Sequence, residues 1–348
     1  MAEGRRRPSP RFWISVITAA CVVAIVWGAW PTILEAIASL RDVNPWILAL
    51  VVPCQLASYA ITGEVLFSFL RARGELRGMH PLGAMRMSLE FNFANHMLPS
   101  GGAAGIAYTS WKLSTFGVPA SRATIGQLAK FAVTFASFSI MLAAAALWLL
   151  IAGDATPGMF VLAGVVGALA TIAIVVGVVL LRRRRALHRA AGVVVRIVNA
   201  VRRITRREPI DAVPFVRFVD GAYREVRQLT AEPRTLAVPF LLSFLVNAID
   251  AGLFLIALWA FGIEADPAIV FIAYGIATVA SMVIATPNGV GPYELVFIGT
   301  LVGGGMAAAP VTAAIVVLRA ILLIGTIVLG WGFYQHSVAR AGAPDVRR

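Results

Sequence analysis

The stretch ATPNGVGPYE, residues 285–294, breaks a run of membrane-grade apolar residues with two prolines, two glycines and an asparagine, and it ends on a carboxylate. Proline beside glycine and asparagine marks a turn. A second stretch, LPSGG at 98–102, does the same within another apolar region. The regions around them, 81–117 and 266–306, each divide into two arms of about 15 to 20 residues, short for a full crossing. Each pair reads as a hairpin that enters and leaves the membrane by one face. Backbone without helical partners costs several kcal/mol per unpaired group in hydrocarbon, so such a turn persists only where protein or a watery cavity covers it.

The rest of the chain sets that context. Of 348 residues, 59% are hydrophobic and 14% charged, with a mean hydropathy of +0.83, outside the range of soluble domains. The expected fold is an all-α polytopic integral membrane protein. Full-length spans are expected at 12–38, 46–70, 120–151, 157–181, 235–260 and 309–334, so that six crossings accompany two re-entrant hairpins. The first segment has the basic flank of a signal peptide, but its long apolar stretch ends in Trp27 and Trp30 instead of a small-residue cleavage site. It reads as a retained helix.

A net charge of +13 raises the question of nucleic acid, yet the arginines sit in the short segments between apolar runs, where the positive-inside rule expects them. They place both termini, Arg71, Arg73, Arg77, Arg122 and the segment 182–234 on the cytoplasmic face of a cell membrane. Cys21 and Cys54 lie in separate apolar segments, which excludes a disulfide or zinc framework. The opening of 182–234 carries apolar residues at helical spacing among its arginines. It fits either a helix lying on the inner leaflet or a solvated connector.

Superimposing the two turns reveals an internal repeat. QLASYAITGEVLF (55–67) resembles FLVNAIDAGLFLI (244–256), with Glu64 35 residues before Pro99 and Asp250 37 before Pro287. Lys130 follows Pro99 by 31 residues and Arg319 follows Pro287 by 32. The units, 46–151 and 235–334, share an order: a helix with an acid, a broken hairpin, a helix with a cation. The topology gives them opposite orientations, the inverted repeat of transporters that hold substrate near the midplane.

Helix ends facing each other at that depth, together with two cations too deep to snorkel, suit an anion such as a lipid phosphate. The candidate binding residues are Lys130, Arg319, Ser100, Gly101, Gly102, Asn288, Gly289, Gly291 and Glu294. Glu64, Glu90, His96 and Asp250 are candidates for carrying protons. A second account stays open, in which Lys130 pairs with Glu90 or Glu64, and Arg319 with Glu294 or Asp250, only to pin helices together. Tyr108, Trp111 and Tyr293 read as interface packing.

N-x-x-L-P-S-G-G at 95–102, T-P-N-G-V-G-P-Y-E at 286–294 and the arginine segment at 313–322, in a six-span layout, resemble the lysylphosphatidylglycerol synthase transmembrane region, or flippase-like, family. The resemblance runs from about residue 12 to 335, and Asn288 stands where the family's usual P-G-G-x-G-x-x-E has its first glycine. The resemblance implies movement of lipids between leaflets, with membrane lipids as partners and a lipid-modifying enzyme as a possible one. In fused members an attached aminoacyltransferase makes the lipid. With the chain ending at residue 348, that synthase activity is not expected here. The leading expectation is thus a flippase or translocase for an anionic or phosphate-bearing lipid, and the second a proton-coupled transporter of a small anion. No Asp-rich metal cluster, Ser/His/Asp arrangement or P-loop is recognisable in the sequence, so neither an enzyme nor a cofactor is expected.

Overall fold

The computed structural model describes residue 27 and residues 43–97, 103–152, 157–204, 213–283 and 291–340. The expected first span and the turn stretches 98–102 and 284–290 lie outside the described residues, and with them Ser100, Gly101, Gly102, Asn288 and Gly289. The described residues form helices and contain no strand.

In chain order the helices are α1 (Pro45–Ala49), α2 (Val51–Ala72), α3 (Pro81–Met97), α4 (Ala103–Ser114), α5 (Ala120–Ala152), α6 (Pro157–Arg182), α7 (Arg184–Ile204), α8 (Val213–Ala231), α9 (Ala237–Ala260), α10 (Pro267–Val283), α11 (Pro292–Gly303) and α12 (Ala308–Arg340). A 3₁₀ turn, Pro233–Leu236, leads into α9. Proline opens α1, α3, α6, α10 and α11, where its absent N–H costs nothing and its fixed φ favours the helix.

Four helical stretches are long and apolar enough to cross a bilayer: Pro45–Ala72, Ala120–Ala152, Pro233–Ala260 and Ala308–Val338. They match four of the six expected spans. The fifth, α6, is 26 residues long, and exposes Val161, Val165, Leu169, Ile172, Val175 and Val179 while burying Val166. A helix apolar on nearly every side needs lipid around it. By contrast α4 and α11 have 12 residues each, about 18 Å against a hydrocarbon core of about 30 Å. Together these elements make an all-α, multi-pass membrane protein.

At the centre α2 and α9 pack along each other. They run antiparallel, because Asn44 ahead of α1 donates its N–H to the Ala260 carbonyl at the end of α9 (2.9 Å), while Leu236 at the start of α9 packs by Val65, late in α2. Asn44 also caps α1, accepting from Trp46 and Ile47 backbone N–H groups. Around this pair, α5 packs on α10 and α12 on α3. Gly275 of α10 lies so close to α5 that a Cβ there would stand 2.6 Å from Phe138 Cζ. Gly330 of α12 would likewise meet Phe93 of α3 at 2.5 Å.

Four of the helices close alike. The N–H of Glu75 bonds back to Leu70 O after α2, and that of Ile263 to Leu258 O after α9; Val118 to Leu113 O and Met306 to Leu301 O repeat the motif after α4 and α11. The residue at each corner is a glycine at positive φ: Gly74, Gly262, Gly117 and Gly305, a backbone state that a Cβ disfavours.

Two polar helices, α7 and α8, fill the segment expected to be a connector. α8 docks on the start of α5: Val226 and Ala222 pack with Ile125, and Arg122 Nε donates to buried Glu225 at 2.8 Å and Nη1 to Glu75 at 2.5 Å. One guanidinium thus ties the end of α2, the start of α5 and α8 together. The sequence pattern left an amphipathic helix and a solvated connector both open over the start of this segment; α8 is not marked by an apolar stripe alone, because its buried positions, Val219, Ala222, Glu225 and Val226, include a carboxylate.

Candidate functional site

Five of the apolar helices present polar residues at helical spacing toward one place. On α2 they are Gln55, Ser58, Tyr59 and Thr62; on α5 Lys130 and Thr134; on α9 Asn247 and Asp250; on α10 Tyr274, Thr278 and Ser281; on α12 Arg319 and Thr326. Positions three, four and seven apart share a helix face. Together with Asn92 of α3 and Tyr293 of α11 they line a cavity of about 410 Å³, in the size range of small-ligand sites. Phe131, Phe135, Phe138 and Phe254 complete its wall.

Hydrogen bonds between helices hold these stripes in place. Gln55 Nε2 donates to the Tyr59 hydroxyl at 2.8 Å and to the Leu322 carbonyl at 2.9 Å, and Tyr59 bonds the Thr326 hydroxyl. So α2 is sewn to α12. On the other side Asn247 Nδ2 donates to Thr134 O (3.1 Å) and Ser137 Oγ (2.8 Å), sewing α9 to α5. Ser58 Oγ donates to Asp250 Oδ1 at 2.5 Å, joining the two central helices.

The two cations singled out from sequence, far apart in the chain, meet in this cavity with different company. Arg319 Nε donates to Glu294 Oε1 at 2.6 Å, and its guanidinium lies 4.6 Å from the Tyr293 ring centroid. Glu294 Oε2 meanwhile accepts the Gly291 N–H at 2.7 Å. Gly291, at φ +96°, starts α11, so the first donor of that positive helix end is occupied by the chain's own carboxylate. The buried Tyr293 hydroxyl has no hydrogen-bond partner among the described residues.

Lys130 makes no ion pair among the described residues; its Nζ lies 5.5 Å from the Phe131 ring centroid. It therefore pairs with neither Glu90 nor Glu64. Asp250 lines the same cavity without bridging to it. Lys130, Arg319 and Asp250 thus come together, with Glu294 attached through Arg319.

The other proton-carrying candidates go elsewhere. Glu64 pairs with Arg71 on its own helix, and Glu90 is buried among Arg86, Lys112, Tyr108 and Ser337. The side chain of His96 lies outside the described residues. Conversely, Tyr293, expected among packing aromatics, lines the cavity, and the polar stripes of α2 and α10, with Asn247 of α9, were not anticipated as site residues, although Gln55, Ser58, Tyr59 and Thr62 display the i, i+3, i+4, i+7 spacing openly.

No curated protein matches the chain. The profile described as Lysylphosphatidylglycerol synthase TM region matches residues 12–330, a span that holds every cavity-lining residue named above, and the chain belongs to that family.

Proposed function

We propose that the protein moves an anionic or phosphate-bearing lipid between leaflets, with the headgroup passing through the central cavity. One observation carries this reading: Lys130 and Arg319, from two helices of opposite halves, line one polar chamber inside the helix bundle. A desolvated cation without a protein partner is costly at such depth unless it serves a ligand or an aqueous path. Membership of a family associated with lysylphosphatidylglycerol makes a lipid the natural ligand.

The inverted repeat belongs to the same proposal. Each half contributes a 17-residue and a 12-residue helix on either side of its turn stretch, lengths that suit re-entrant arms better than crossings. The helix closures match in pairs, and the halves exchange partners, with α2 bonded to α12 and α9 to α5. Backbone re-entering from both faces around a central site supports alternating access of the headgroup. The arginine-rich ends then face the cytoplasm of a cell membrane.

The test is leaflet exchange of fluorescent phospholipids in vesicles containing the purified protein. Accelerated exchange, lowered by substitutions at Lys130 and Arg319, is expected; absence of acceleration together with uptake of a soluble anion contradicts it. Asp250 favours that second reading, a proton-coupled carrier of a small anion, because it places a carboxylate in the same chamber as the cations. In either case the protein performs transport without a chemical step.

A further inference from the structure

A second cavity, of about 420 Å³, lies outside the central chamber between α3, α4 and the end of α12. Its lining includes Gly83, Arg86, Glu90, Trp111, Lys112 and Ser337. Glu90 is 1% exposed and fully engaged: it accepts from Arg86 Nε (3.1 Å), Lys112 Nζ (3.1 Å), the Tyr108 hydroxyl (2.9 Å) and Ser337 Oγ (2.7 Å). Two cations therefore share one carboxylate. Among the described residues no second acid lines the pocket, so that its described lining carries a net positive charge.

From this arrangement we infer that the pocket is a binding site for the phosphate of an anionic lipid headgroup, distinct from the central chamber. Arg86 gives Glu90 its Nε, lies 5.2 Å from the Phe333 ring centroid and makes no other hydrogen bond among the described residues, so its forked end is available to a phosphate oxygen. Depth agrees with a headgroup. Arg86 lies five residues into α3, about 8 Å from its start, and Lys112 is near the end of α4, at the bundle end where α2 finishes and α5 begins. The opening is flanked by exposed Trp111, Phe116 and Phe333, an amphipathic rim suited to a lipid and unhelpful to a soluble ion.

The site deepens the transport reading and rests on it for its purpose, as the place where a headgroup is collected. Glu90 faces this pocket while Asn92, two residues on, lines the central chamber; two residues is about 200° of helix turn. Helix α3 is accordingly the wall between the two sites. Tyr108, Lys112 and Ser337 fasten that wall to α4 and α12 through Glu90, and a phosphate competes with Glu90 for Arg86 and Lys112.

The test is photolabelling of the full-length protein in phosphatidylcholine nanodiscs with a diazirine-bearing phosphatidylglycerol, followed by peptide mapping. Labelling is expected on α3 and α4 around Arg86 and Trp111, competed by unlabelled phosphatidylglycerol and unaffected by inorganic phosphate. Arg86→Gln should reduce it about tenfold, the loss of one charge-assisted hydrogen-bond pair. Because that variant disturbs Glu90, Gly83→Phe serves as a second: a Cβ there meets only Met79 Cγ at 3.8 Å, so it fills the pocket while leaving the charges alone, and labelling should again fall. Equal labelling by a phosphatidylcholine analogue, competition by inorganic phosphate, or undiminished labelling of Gly83→Phe each overturns the proposal. Labelling here without leaflet exchange by the wild-type protein keeps the site and rejects the transport reading.

Discussion

Arg319 on α12 donates to the Glu294 carboxylate of α11 at 2.6 Å, and through that carboxylate holds the Gly291 N–H that starts α11. The cation, the acid and the helix end form one unit, of which Arg319 lines the central chamber. A phosphate binding there has to compete with Glu294 for Arg319.

This competition gives the first prediction. Arg319→Ala leaves Glu294 partly buried without its cation and should lower stability by about 3 kcal/mol. Adding Glu294→Gln removes the orphan charge while its amide oxygen still accepts the Gly291 N–H, so thermal unfolding in detergent should recover most of the loss. Leaflet exchange should stay low in both variants. Full exchange in the folded double variant contradicts a role for Arg319 in transport.

Lys130 separates stability from function more cleanly. It makes no ion pair among the described residues and lies beside Phe131, so Lys130→Met removes a desolvated charge and keeps the volume. The melting temperature should be unchanged or higher, while exchange falls at least about tenfold, equivalent to ~1.4 kcal/mol. A marked fall in melting temperature would instead assign Lys130 a structural pairing.

Much of this was legible in the sequence, and the misplaced residues are instructive. Four spans and the two lysine and arginine helices could be read because apolar length and buried charge are strong one-dimensional signals. The acids were harder, because distance from a turn does not give rotation about a helix axis. Glu64 is two residues past Thr62 and Glu90 two before Asn92, so each is turned about 200° from a cavity-lining neighbour. Asp250 lies on the Asn247 stripe and faces the chamber.

Helix contact makes a further prediction. A Cβ on Gly275 would stand 2.6 Å from Phe138 Cζ, and Phe138 also lines the chamber. Gly275→Ala should therefore cost about 1–3 kcal/mol by overpacking and push Phe138 toward the chamber, slowing exchange. Gly275→Ala with Phe138→Leu should restore both, as read by thermal unfolding and vesicle assays; no rescue argues against the contact.

Between the two polar helices, Asp220 of α8 accepts from Arg184 Nη2 of α7 at 2.8 Å. Hydrogen bonding from Arg184 holds its carboxyl below the usual aspartate value, with His188 adding to the effect. A lowered folded-state value means that this stabilisation is complete above the unfolded aspartate value of about 3.9 and is lost as pH falls through the folded one. Spin labels on α7 and α8 should keep a fixed separation at neutral pH and move apart only in strong acid; separation at pH 6 contradicts it.

The most direct test is a lipid-bound structure in nanodiscs containing phosphatidylglycerol. The phosphate is predicted in the chamber between α5 and α12, within hydrogen-bond reach of Lys130 Nζ and Arg319, with Glu294 drawn off the guanidinium. A chamber filled only by water or side chains under saturating lipid, with Lys130 turned to an acid of its own chain, contradicts the central claim.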